Sequence, residues 1–193
     1  ADVKIRSLQS FILDEVAKAM GFPARGLGRR LTAWFLGTPA HRFSAMFAAA
    51  DEACKQHGFA RGAQVLLEGL QVKVRSRGAE HIPAEGPALI ASNHPGGYDS
   101  ISIASQLPRE DVKVLAAGVN FLKRLEALRN SLILVSYAQA ERFTAVTEMI
   151  GQLRSGHSML HFGTGTHDPD PETQPGSLEQ ISGWYRTLEV LLR

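Results

Sequence analysis

Asn93-His94-Pro95-Gly96-Gly97-Tyr98-Asp99 sets an imidazole and a carboxylate five positions apart across a turn. A histidine acts as a general base when its tautomer is specified. A carboxylate that accepts the Nδ1–H specifies it and also stabilises the imidazolium. Four intervening residues let the chain fold back so that Asp99 reaches His94. The chain has no Gly-x-Ser-x-Gly elbow, so the pair suits a base acting on a substrate hydroxyl rather than on a serine of the protein. The other residues have a simpler reading. Pro95, Gly96 and Gly97 make a tight turn, and Asp is a favoured N-cap because its carboxylate accepts the first turn's unpaired amides. Neither accounts for His94.

Short apolar runs on both sides must position this pair. Ala88–Ser92 reads as a buried strand entering His94, and Ser100–Leu107 as the helix leaving from Asp99. The motif then lies at a strand's C-terminal end, where open α/β sheets bind ligands. Further strands are expected at Val72–Arg75, Lys113–Ala116, Leu132–Val135 and Ser158–Phe162. Between them, Phe121, Leu122, Leu125 and Leu128 mark one helix, and Phe143, Val146, Ile150 and Leu153 another. Trp184, Leu188 and Leu191 suggest a last one. This alternation predicts an α/β fold, a mostly buried mixed sheet flanked by helices, with an N-terminal helical segment.

That segment occupies residues 1–65, ahead of an α/β domain at 66–193. It reads as four helical pieces. Ile5 to Ala19 stops at Gly21-Phe22-Pro23, Leu31–Leu36 ends at Gly37-Thr38-Pro39, Phe43 to Cys54 closes at His57-Gly58, and Gln64–Leu70 follows. From Gly21 to Ala50 there is no Asp or Glu, while Arg25, Arg29, Arg30 and Arg42 accompany Leu27, Leu31, Trp34, Phe35 and Phe43. Such a stretch suits an anionic membrane surface, or equally a helical layer packed on the core with solvated arginines. No apolar run approaches the ~20 residues that cross a bilayer. A net charge of +2, without a basic tract carrying aromatics, argues against nucleic acid. The single cysteine, Cys54, excludes an internal disulfide and fits a reducing compartment. The sequence opens on Ala1-Asp2 without an initiator Met, so its true N-terminus is expected to lie further upstream, and the residues given hold no signal peptide.

The run Asn93-His94-x-x-x-x-Asp99, led in by Gly86-Pro87-Ala88-Leu89-Ile90-Ala91-Ser92, resembles the first motif of the glycerolipid acyltransferases, the glycerol-3-phosphate and lysophosphatidate acyltransferase superfamily. Val72-x-Val74 and Gly78-x-Glu80-His81-Ile82-Pro83 resemble that family's approach to the motif, and the likeness runs from about residue 66 to 170. The resemblance implies that His94 takes a proton from an acceptor hydroxyl attacking an acyl-CoA or acyl-carrier-protein thioester. It makes Asp99 the orienting partner and Asn93 a substrate contact. Backbone amides around Gly96 and Gly97 are then expected to serve the oxyanion. Such a protein needs no cofactor beyond its acyl thioester, takes a lipid acceptor, and works in the cytoplasm at the inner face of a membrane.

The later motifs depart from the family's pattern. Phe162-Gly163-Thr164-Gly165-Thr166-His167 stands where the family has Phe-Pro-Glu-Gly-Thr-Arg, so Phe162, Gly165 and Thr166 match. Thr164 replaces the Glu, and His167 the Arg. Tyr137 occupies the place of a phosphate-associated Arg, with Arg142 five residues on as a substitute. Arg binds phosphate bidentately and keeps its charge, which His or Tyr does not match. An acceptor without that phosphate, a lyso-aminolipid or another lipid hydroxyl or amine, is therefore expected. The family's proline-bearing fourth motif is not visible before Arg193, so the sequence is a fragment or has diverged there. A non-catalytic lipid or acyl-thioester binder and a thioester hydrolase are the alternatives. His157, His161, His167, Asp168 and Asp170 lack a tight ligand pair and read as solvated residues rather than a metal site. Asp168 to Gly176 reads as a mobile loop.

Overall fold

The computed structural model describes residues 2–23, 26–135, 139–165, 167–177, 179, 183–184 and 187–192, and for residues 139–142 and 187 the backbone alone. Eleven helices and strands alternate along the described residues. They are α1 (Asp2–Ala19), α2 (Leu27–His57), α3 (Phe59–Gly69), β1 (Ala88–Ser92), α4 (Asp99–Ala104), β2 (Val112–Ala117), α5 (Glu126–Asn130), β3 (Leu132–Val135), α6 (Gln139–Arg154), β4 (Ser158–Phe162) and α7 (Thr187–Leu191). The strands form one sheet in the order β1-β4-β2-β3. The fold is α/β, as the alternation predicts, and every ladder among the described residues is parallel rather than mixed.

β4, the last of the described strands, lies inside the sheet, and all five of its residues are buried. A parallel strand covered on both faces reads as a continuous apolar run, and Ser158-Met159-Leu160-His161-Phe162 is nearly that. Its side chains alternate between two apolar clusters. Leu160 and Phe162 pack with Val112 and Val114 and with Leu8, Ala50, Cys54 and Leu66 of the N-terminal helices. Met159 packs on the opposite face with Ile133, Ala145 and Met149. The N-terminal helices thus share their core with the sheet. Burial, with Asp51 and Glu110 adding to it, pushes the Cys54 thiol up to about 11, which leaves it protonated and inert.

Three expectations need correction. Leu31–Leu36 and the stripe from Phe43 are one helix, because α2 runs through Pro39 without a break. Pro inside a helix removes one hydrogen bond and costs about 3 kcal/mol. Packing on α1 offsets that here: Ala40 is buried, and Gln9 Nε2 donates to the Gly37 carbonyl at 2.8 Å. Val72–Arg75 alternates in polarity but pairs with no strand. The helix expected around Phe121–Leu128 is split. A 3₁₀ turn at Leu122–Arg124 gives way to extended, fully buried Leu125 before α5 begins.

Two buried charges tie distant segments together. Asp51 on α2 accepts the Ala127 and Leu128 amides at 2.9 Å, capping α5 from another helix, and takes Lys4 Nζ at 2.6 Å. Arg109 donates to the Pro83 and Gly86 carbonyls at 2.7 Å and grips both oxygens of Asp111 at 2.6 Å. It thereby fixes the lead-in to β1 against the start of β2.

Candidate active site

β1 delivers His94 at the C-terminal end of the sheet, and α4 begins at Asp99. His94 Nδ1–H donates to Asp99 Oδ2 at 2.8 Å, and the Gly96 amide donates to the same oxygen at 2.7 Å. The Asp99 carboxylate therefore turns back into the loop. α4 has no side-chain cap at its start, so the capping account of Asp99 gives way. Both side chains are about a quarter exposed. With Nδ1 committed to Asp99, Nε2 is the ring nitrogen left to take a proton.

The loop after β4 closes on the same histidine. Phe162 stacks on the imidazole at 4.3 Å between centroids and 22°, and exposed His167 lies beside it at 4.7 Å and 40°. Asp168, read from the sequence as the start of a mobile loop, grips the His94 peptide from both sides. Its Oδ2 accepts the His94 amide at 2.7 Å, and its own amide donates to the His94 carbonyl at 2.9 Å. Gly165 sits at φ +66°, in the left-handed region that suits glycine, and its amide returns to the Phe162 carbonyl at 3.1 Å. A Cβ on Gly163 would collide with the Trp184 ring, which accounts for glycine at that position.

Of the other candidates, Gly97 lines the cavity described below, whereas the Gly96 amide is taken by Asp99 and is not free for an oxyanion. Asn93 stands in the loop just after β1. Thr164 lies in the turn after β4. Tyr137 and Thr166 fall outside the described residues, and of Arg142 only its place on α6 is described. Among the described residues, no three His, Cys, Asp or Glu side chains gather as a metal set.

His94, Gly97, Phe162 and Gly165 open onto a cavity of about 690 Å³. Phe47 of α2, Phe59 of α3 and Phe121 close one side, and Met149 of α6 lies at the other. Among the described residues that line it there is no Lys, Arg, Asp or Glu. A pocket of that size and apolarity, with few convergent polar groups, is typical of a small-molecule site. His94 lines it while staying partly exposed, so the imidazole stands where the cavity meets solvent.

No family model and no curated protein sequence matches the chain. Among solved structures the chain is similar to the 1-acyl-sn-glycerophosphate (LPA) acyltransferase PlsC from Thermotoga maritima, at a TM-score of 0.44 and 17% identity over 92% of this chain and 70% of that one. A likeness that distant leaves the activity to be argued from the residues themselves.

Proposed function

We propose that the protein transfers a fatty acyl group from an acyl thioester to a hydroxyl or amine of a lyso-lipid acceptor. One observation carries the reading: a His94–Asp99 pair at 2.8 Å on the rim of a large, mostly apolar cavity. The cavity takes the acyl chain and leaves its thioester beside His94. Nε2 of His94 removes the acceptor's proton as the acceptor oxygen or nitrogen attacks the thioester carbon. The Gly97 amide serves the oxyanion. Collapse expels the thiolate of coenzyme A or carrier protein, which takes the proton back from the imidazolium. Asp99 keeps the ring in the reactive tautomer throughout.

The acceptor follows from His167. It lies beside His94 where the resembled motif has an Arg, and an imidazole holds phosphate less firmly than a guanidinium. An acceptor lacking a phosphate at that point is the better match. The exposed apolar face of α2 supports work at an anionic membrane surface, reached from the cytoplasmic side. Among the described residues no helix is long and apolar enough to cross a membrane.

Thiol release from long-chain acyl-CoA, with and without a panel of lyso-lipids, tests the reading. Acceptor-dependent release that falls about 10²–10⁴-fold in His94→Ala is expected. Release without acceptor would make the protein a thioester hydrolase, and silence would make it a binder. Full acceptor-dependent turnover in His94→Ala would remove the base.

A further inference from the structure

Three buried side-chain atoms lack a hydrogen-bond partner among the described residues, His157 Nδ1, Ser158 Oγ and His161 Nδ1, and of these residues His161 alone lines the cavity. It sits on β4, is 3% exposed, and its Nδ1 has no hydrogen-bond partner among the described residues. Buried polar atoms are nearly always paired, so an unpaired one on the wall of a cavity points to a group that enters the cavity. His161 is on that wall. Its face follows from the strand: Leu160 and Phe162 belong to the cluster with Val114, so His161 points with Met159 toward the side covered by Met149. Residues of both faces line the same cavity, which therefore extends around the C-terminal strand ends.

We propose that the cavity accepts an acyl chain bearing a neutral hydrogen-bonding substituent, a hydroxyl group, and that His161 reads it. This rests on the acyl-transfer reading of the cavity. Neutrality follows from the surroundings. Burial holds the His161 imidazole below its ordinary pKa, so it enters as a neutral ring. Among the described residues, no charged side chain lines the cavity to receive an ionised substituent. A hydroxyl suits either tautomer, since it donates and accepts. Its place along the chain follows from the strand too. His161 immediately precedes Phe162, whose ring stacks on His94, so the two Cα atoms are about 3.8 Å apart. The imidazole is thus at the end of the sheet that holds the thioester, on the opposite face of β4 from His94, so the hydroxyl belongs toward the carboxyl end of the chain rather than at its far tip.

Displacement of a fluorescent fatty acid from the whole protein reads this without turnover. The competitors are β-hydroxymyristic acid and its ω-hydroxy isomer, which match in formula. Wild type is expected to favour the β-isomer by about tenfold, the worth of one buried hydrogen bond. In His161→Phe, of similar bulk but with no ring nitrogen, that ratio should collapse towards one, and His161→Asn should restore part of it. Equal displacement by the two isomers in wild type, or a ratio unchanged in His161→Phe, would overturn the proposal while leaving the acyl cavity in place. If the fluorescent fatty acid does not bind wild type at all, the cavity reading fails and this inference fails with it.

Discussion

His94 is held twice, by its ring and by its peptide. Asp99 fixes the imidazole, and Asp168 fixes the backbone that carries it. The second contact has a testable consequence, because a displacement of about 1 Å in a reacting group costs on the order of 10²-fold in rate. Asp168→Ala should lower kcat by about 10- to 100-fold with little change in KM for the thioester. Asp168→Asn, whose amide oxygen still accepts the His94 N–H, should keep most of the rate. Equal losses in the two variants would mean that the carboxylate's charge matters rather than its grip. His94 and Asp99 were legible because their partnership is local, five residues across one turn. Asp168 was not, since its partner lies 74 residues away and nothing in a proline-rich loop announces a contact at that range. His161 was visible only as one polar residue in a cluster. Its isolation appears once the strand is seen to be buried on both faces.

At the scale of the element, α2 has two characters. Its second half packs inward: Phe43 and Phe47 meet Phe121 at 5.8 and 5.0 Å between ring centroids. Its first half does not. Leu27, Leu31, Trp34 and Phe35 recur at i, i+4, i+7 and i+8, one helix face, and Trp34 stays 75% and Phe35 66% exposed. Arg29 on the same half is partly buried and paired with Asp14 of α1, so it is less available to lipid than the sequence suggests. Binding to anionic vesicles should therefore depend on the aromatic pair. Replacing Trp34 and Phe35 with Ser is expected to weaken co-sedimentation by about tenfold or more, as the loss of two inserted side chains requires. Unchanged co-sedimentation would mean that this face serves something other than a membrane. The helix was legible in its apolar periods but not in its length. Gly37-Thr38-Pro39 carries every local sign of a stop, and contacts with α1 override them.

At the scale of the whole molecule, Arg109 and Asp111 tie the approach to β1 to the start of β2. The guanidinium's hydrogen bonds hold the Asp111 carboxyl below its ordinary range. A carboxyl lowered on folding stabilises the protein above its unfolded pKa of about 3.9, and that contribution is lost as pH falls through the lower folded value. Asp111→Asn should therefore unfold at lower urea than wild type at neutral pH, with the gap closing below about pH 4. A gap that persists into acid would assign the loss to packing instead. The α/β class was legible from alternating strands and helices, each named by its own apolar run. The strand order was not, because neighbours in a parallel sheet are chosen by long-range packing. That order has a consequence for the newborn chain. Among the described residues β1 pairs with β4 alone, and the Asp168 grip on His94 follows soon after β4. A ribosome must therefore deliver residues 158–168 before the loop that carries His94 has its strand partner and its grip, so that loop is among the last parts of the described chain to settle.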